Sequence, residues 1–162
     1  MDGEKVKLKE QRYNILYMDL ATRIAEMSYA RRLHVGAVIV KNTNIISFGW
    51  NGMPSGWDNN CEDEVVEIQP EYGVGSILVE TGELKTRPEV LHAEQNAIAK
   101  LAKSTESGMG ATMFITHAPC LDCAKLIFQS GINSVLYRNS YKSDDGINFL
   151  AKAGVSVERL NN

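Results

Sequence analysis

The chain is poor in several features that whole function classes require. It has three cysteines in 162 residues, two of them in a metal-type motif described below, which points to a reducing compartment and by default the cytoplasm. No apolar run reaches the ~18 residues of a membrane span. The opening MDGEKVKLKEQR is too charged for a signal peptide. Positive charge is not concentrated anywhere beyond Arg31-Arg32, and the net charge is −3. Proteins that bind long nucleic acids carry a basic face, so that class is disfavoured, although two or three local cations suffice for a single phosphate. There is no internal repeat. What remains is an ordinary globular composition, 44% hydrophobic, of a length that suits one domain with a proper core. Residues 1–162 are read as that single domain.

Two short stretches stand out, His92-Ala93-Glu94 and Pro119-Cys120-Leu121-Asp122-Cys123. Cys120 and Cys123 are i and i+3, so on a helix they share one face and can grip one ion. Pro119 suits a helix entry, whose partial positive charge favours thiolate over thiol. Catalytic zinc takes three protein ligands, often His and Cys, and keeps a fourth position for solvent. His92, Cys120 and Cys123 supply such a set. Glu94 follows the His by two residues as an acid–base carboxylate rather than a ligand, and HxE followed by PCxxC is the signature of zinc-dependent base deaminases. Plainer readings stand beside this one. A lone CxxC serves as a redox pair or half of a structural zinc site, and a lone His is usually a satisfied polar group. A structural site, however, is closed by four protein ligands, and the other candidates are Cys61, His34 and His117. The joint pattern with Glu94 favours an open, catalytic site.

Periodicity supplies the frame. Residues 1–12 read as a loose or partly helical lead-in, and Tyr13, Tyr17, Leu20, Ile24 and Met27 predict an amphipathic helix over Tyr13–Arg32. Val35–Lys41 and Ile45–Trp50, joined by Asn42-Thr43-Asn44, predict a β-hairpin. The stretch 52–88, rich at first in Gly, Pro and Asn, is expected to be a long functional loop with at most a short hairpin in GSILVETGELK. Helices follow over His92–Lys103, Cys120–Gln129 and Asp144–Ala153, and strands over Ala111–His117, Ser134–Arg138 and Val155–Leu160. Strands alternating with helices imply parallel pairing, so with the early hairpin the sheet is mixed.

The stretches VGAVIV…GWNGMPSG, LHAEQNAI, GATMFITHAPCLDCAKLIFQSGI and VLYRNSYKSDDGINFLAKAGV resemble the deoxycytidylate (dCMP) deaminases of the cytidine-deaminase superfamily, from Val35 nearly to the C-terminus. The resemblance implies an α/β fold of three layers, α/β/α, around a five-stranded mixed sheet. It also implies one catalytic Zn2+ per subunit, a homo-hexamer, and hydrolysis of dCMP to dUMP and ammonia, which supplies dUMP for thymidylate synthesis. On this resemblance the backbone N–H groups of Ala93 and Cys120 hold the base and Asn51 contacts the sugar. Tyr141, Lys142 and Arg31, with Arg32 beside it, are candidates for the phosphate. It further implies activation by dCTP and inhibition by dTTP at an inter-subunit site that includes Gly49, Gly52 and Met53, with Mg2+ accompanying the regulatory triphosphate. A deaminase of another cytosine nucleotide or nucleoside is the nearest rival. A zinc-stapled binding module is the rival from a different class, and it has no use for Glu94.

Overall fold

A computed structural model describes residues 2–71 and 75–161. Helix α1 (Asp2–Ala25) leads into the hairpin β1 (Gly36–Lys41) and β2 (Asn44–Trp50), followed by β3 (Glu62–Glu71) and β4 (Gly75–Thr86). Then α2 (Ala93–Leu101), β5 (Thr112–His117), α3 (Leu121–Gln129), β6 (Ser134–Asn139), α4 (Asp145–Lys152) and β7 (Ser156–Arg159) alternate. The main sheet runs β2-β1-β5-β6-β7. β1 is antiparallel to both β2 and β5, while β5, β6 and β7 are parallel. This is the five-stranded mixed sheet that the resemblance implied.

Strand alternation decides which helix covers which face. From β1, β5 and β6, the side chains Val38, Val40, Phe114 and Leu136 point to one side, where Tyr17, Met18 and Ala21 of α1 bury them. Ala37, Ile39, Met113, Ile115 and Val135 point to the other, against Ala93, Ala97 and Leu101 of α2, Ala124 and Ile127 of α3, and Leu150 of α4. Three layers result. Gly49 makes the closest seat for a helix, since a Cβ there would lie 2.4 Å from Ala93 O and 2.6 Å from Ala97 N. Only a residue without a side chain lets α2 sit that low on β2. Among the described residues no helix is long and apolar enough to cross a membrane.

Two expectations are corrected. The first helix begins at Asp2 and ends at Ala25, not Tyr13 to Arg32. Residues 3–12 are exposed and carry good helix formers such as Lys, Glu and Leu, so propensity extends the helix beyond its buried stripe. It stops early because the chain beyond is used elsewhere. Ser28 Oγ donates to Asn51 O at 2.7 Å, and the amides of Arg31 and Arg32 turn to Glu62.

The second correction concerns 52–88, which is not mainly loop. β3 and β4 form an antiparallel ribbon pairing Glu62 with Thr86 at its root and Ile68 with Leu78 further out. Its apolar residues Val66, Ile68, Ile77 and Leu78 are exposed, so neither face is a core face and no in-out alternation marks it. The remaining helices and strands lie within two residues of expectation.

Candidate metal centre and substrate cleft

The site lies beyond the carboxyl ends of the parallel strands β5 and β6, where open α/β sheets place their ligands. After His117 the chain runs through Ala118 and Pro119 to Cys120, and after Asn139 through Ser140 to Tyr141 and Lys142. Ala118 N–H donates to Asn139 O at 2.8 Å, and Asn139 Nδ2 to Thr116 O at 2.9 Å. The two loops are thereby tied together. α4 presses on the first of them at Gly146, where a Cβ would meet Pro119 O at 2.1 Å.

Two helix N-termini converge on this corner. His92 is the N-cap of α2 and Cys120 the N-cap of α3. His92 N–H donates to Gln95 Oε1 at 2.7 Å, which fixes the His92 backbone. His92 Nδ1 lies 3.6 Å from Cys120 Sγ and 3.3 Å from Cys123 Sγ, and the three donor atoms all fall within 4.8 Å of one another. An ion bound tetrahedrally at about 2.3 Å from sulfur and about 2.0 Å from nitrogen spaces such donors by about 3.6 Å. One soft imidazole and two thiols so placed fit zinc. The donors interact directly: the Cys120 thiol is driven down to about 4 because the Cys123 thiol and His92 hydrogen-bond to it. Cys123 is pushed up by that same bond to Cys120 and by burial. His92 is raised, chiefly by its bond to Cys120.

Glu94, in the first turn of α2, is 4% exposed. Burial raises its carboxyl from 4.5 to about 7, opposed by backbone hydrogen bonding and by His92. A carboxyl poised near neutrality can both take and give a proton at physiological pH.

A cleft of about 650 Å³ opens over these groups, lined by Asn51, Glu94, His117, Cys120, Tyr141 and Lys142 among others. Ala93 lines it at the first turn of α2. Asn51 is anchored twice: Oδ1 accepts Val35 N–H and Nδ2 donates to Leu33 O, both at 2.8 Å. His117 Nδ1 is 3.1 Å from Thr116 Oγ1, and burial lowers its pKa, so the ring is neutral near pH 7. The Tyr141 hydroxyl is raised by burial and then by Cys120 and Glu94, against a pull from Arg32.

Several expected residues stand elsewhere. Arg31 does not line the cleft: its guanidinium donates to Glu62 O at 3.0 Å and pairs with the carboxylates of Glu62 and Glu64. Arg32 lines the cleft in its place. Gly49 is used up in seating α2. Gly52 exchanges backbone hydrogen bonds with Leu91, and Met53 packs on Ala30, Cys61 and Val90. Cys61 is buried in that small cluster, its thiol donating to Asn59 O at 3.6 Å, apart from the ligand set. Sequence reasoning missed Glu62, Lys85 and Thr86, which line the cleft from the ribbon root. A buried Glu inside an otherwise solvated ribbon leaves no signal in one sequence.

The model describing the cytidine and deoxycytidylate deaminase zinc-binding region matches residues 11–139. Deoxycytidylate deaminase of Enterobacteria phage T4 is 34% identical over 166 residues, with 86% of each chain covered. ComE operon protein 2 of Bacillus subtilis is 34% identical, covering 91% of this chain and 71% of that one. The crystal structure of dCMP deaminase from the cyanophage S-TIM5 in complex with dCMP and dUMP superposes with a TM-score of 0.76 at 43% identity. That match covers 95% of this chain and 97% of the phage chain.

Proposed function

The chain belongs to the cytidine and deoxycytidylate deaminase family, and from that premise we propose that it hydrolyses dCMP to dUMP and ammonia. The observation that carries the reading is Glu94, a buried carboxyl held near neutrality two residues from His92 and beside Cys120 and Cys123. The relatives named for dCMP support the substrate.

His92, Cys120 and Cys123 would hold the ion. Zinc, when bound, makes water a usable nucleophile at neutral pH. Glu94 accepts a proton from the attacking water and hands it to N3 of the pyrimidine, which makes C4 electrophilic. The water oxygen bonds to C4. Glu94 then carries the second proton to the departing amino group, so one water is consumed and one ammonia leaves. The N–H groups of Ala93 and Cys120 orient the base. Asn51, held by Val35 and Leu33, presents the second hydrogen of Nδ2 to the sugar. Tyr141 and Lys142 reach the phosphate end.

The finer part of the proposal is regulatory: a homo-hexamer in the cytoplasm, activated by dCTP and inhibited by dTTP with Mg2+ at a subunit boundary near Gly52 and Met53. Gly49 would act there through α2, because it seats the helix that carries Glu94. Its support is the family resemblance. Dose–response curves with each triphosphate and sedimentation of the purified protein test it, and flat responses or a monomer would remove it.

The main experiment is ammonia release from dCMP, CMP, deoxycytidine, cytidine and a cytosine-bearing oligonucleotide by the zinc-loaded protein. The expected outcome is dCMP first. Preference for a nucleoside would hand the site to the rival deaminase reading, and bound zinc with no ammonia from any substrate would hand it to a binding module.

A further inference from the structure

β5 ends in two residues that the proposed reaction leaves without a task, Thr116 and His117. Strand alternation places His117 on the side of Met113 and Ile115, the side covered by α2 and α3. There it lines the cleft together with Glu94, Cys120 and Tyr141. Its backbone is held on both sides. Asn139 Nδ2 donates to Thr116 O at 2.9 Å, and Ala118 N–H donates to Asn139 O at 2.8 Å.

Thr116 fixes the ring as well. Gly36 N–H donates to Thr116 Oγ1 at 3.2 Å, and Gly36 is itself wedged under α1, where a Cβ would lie 2.0 Å from Ala21 O. Thr116 is buried, and the one acceptor its hydroxyl hydrogen finds among the described residues is His117 Nδ1, 3.1 Å away. Were the proton on Nδ1 instead, the Thr116 hydroxyl would hold a buried hydrogen with no acceptor, which costs free energy. Nδ1 therefore accepts. The neutral ring keeps its proton on Nε2, an atom that solvent reaches and that has no protein partner among the described residues. The cleft thus holds an uncharged N–H donor, oriented through Thr116 and unclaimed by the protein.

An uncharged donor on the way from the metal corner to the mouth fits an uncharged acceptor. A cytosine ring offers two, N3 and O2. On the proposed reaction N3 takes its proton from Glu94, which leaves O2, the carbonyl between N3 and the glycosidic nitrogen. That oxygen has two lone pairs, so it can accept His117 in addition to a backbone N–H.

We propose that His117 Nε2–H donates to O2 of the pyrimidine, which makes His117 a specificity-determining residue for the base and Thr116 the positioning residue behind it. The inference rests on the reading of the chain as a dCMP deaminase. It assigns recognition of the ring carbonyl, which substrate and product share, to a side chain outside both zinc motifs.

The test compares kcat/KM for dCMP with that for its 2-thio analogue, whose sulfur is a poor acceptor, in zinc-loaded wild type, His117→Leu and His117→Gln. In His117→Leu the preference for dCMP is expected to fall by about 3- to 10-fold, the worth of one neutral hydrogen bond. The Gln amide offers an N–H near the place of Nε2 and should restore most of that preference. A second arm needs no turnover: nitrogen NMR of the zinc-loaded protein with isotope-labelled histidine, the His117 signals being those lost in His117→Leu. Wild type and Thr116→Ser should show a protonated Nε2 and a bare Nδ1, and Thr116→Val a mixture of tautomers. The Nε2–H signal should shift with dUMP and stay in place with deoxyribose 5-phosphate, which lacks the base. An unchanged preference in His117→Leu, a proton on Nδ1 in wild type, or an equal shift with both ligands overturns the proposal. A wild type silent on dCMP overturns the deaminase reading instead, and the response of Nε2–H to dUMP then decides the contact.

Discussion

At the floor of the cleft, His92, Glu94 and Cys120 stand at the first turns of two helices, and the elements that carry them are packed against a buried sheet. At the mouth, Arg32, Lys85 and Lys142 come from a connection, a solvated ribbon and a loop, and each is exposed. The difference is one of how geometry is enforced. Close packing fixes the floor to within the tolerance that metal ligation and proton transfer demand. Long side chains over solvent would be adequate at the mouth for the phosphate of the proposed substrate, because a dianion attracts charge over several ångströms and needs less exact placement. On the proposed function, chemistry is built where the fold is densest, and the phosphate end is met where it is loosest.

The strongest way to break that contrast is Glu94→Gln. It keeps shape and zinc ligands but removes the proton carrier, so turnover on dCMP should drop at least 10²–10⁴-fold with zinc content unchanged, read by steady-state rates and metal analysis. Mouth variants should change selectivity by less and leave the ionisation at the floor alone. A Glu94→Gln enzyme with normal turnover would remove the floor's chemical role.

The same residue gives a stability prediction. Burial lifts Glu94 from 4.5 to about 7, so between those values the folded chain binds more protons than the unfolded chain. Stability contributed by this group is then greatest below about pH 4.5 and falls as pH rises to about 7, with a total worth about 3 kcal/mol. In metal-stripped protein, Glu94→Gln should gain stability over wild type by about that amount at pH 8 and by much less at pH 5, read by urea unfolding. An offset independent of pH would mean that the buried carboxyl is not the cause.

The floor also depends on how low α2 sits. Gly49→Val puts side-chain atoms where Ala93 O and Ala97 N already stand and should cost about 1–3 kcal/mol as overpacking, with turnover impaired because Glu94 moves with the helix. Gly52→Ala is the comparison, since its Cβ would approach nothing closer than Trp50 at 3.9 Å.

These contrasts also explain what one sequence could disclose. Cys120, Cys123, His92 and Glu94 were legible as a group because ligation admits few residue types and helical spacing puts them on one corner. The main sheet was legible because Val38 and Ile39, or Met113 and Phe114, alternate between two buried faces. The ribbon was not, because Val66, Ile68 and Leu78 are exposed and impose no period. Nor could Arg31 be told from Arg32. One turns to Glu62 and Glu64 and the other to Thr86, and that choice depends on strand partners 31 and 54 residues away. Lys85 looks in sequence like any solvated lysine.

The smallest expected effect lies in the outer ribbon, and it tests whether the mouth needs more than its root. β3 and β4 pack extensively only on each other, and Ile68 and Leu78 are 70% and 73% exposed. The described residues of the outer ribbon, 67–70 and 76–79, thus forfeit little burial if the segment 67–79 is removed, while Val66 and Glu80 remain opposite each other and can be closed by a two-residue Asn-Gly turn. Glu62, Lys85 and Thr86 stay in place at the root. Stability should change by less than about 1 kcal/mol, and kcat/KM for dCMP should stay near wild type. A larger loss would mean that the exposed Ile68–Leu78 pair is seated against another copy of the chain, and a sedimentation shift in the shortened protein would show it. In that case the mouth would draw its rigidity from assembly, and the division between a packed floor and a loose mouth would hold only for the isolated subunit.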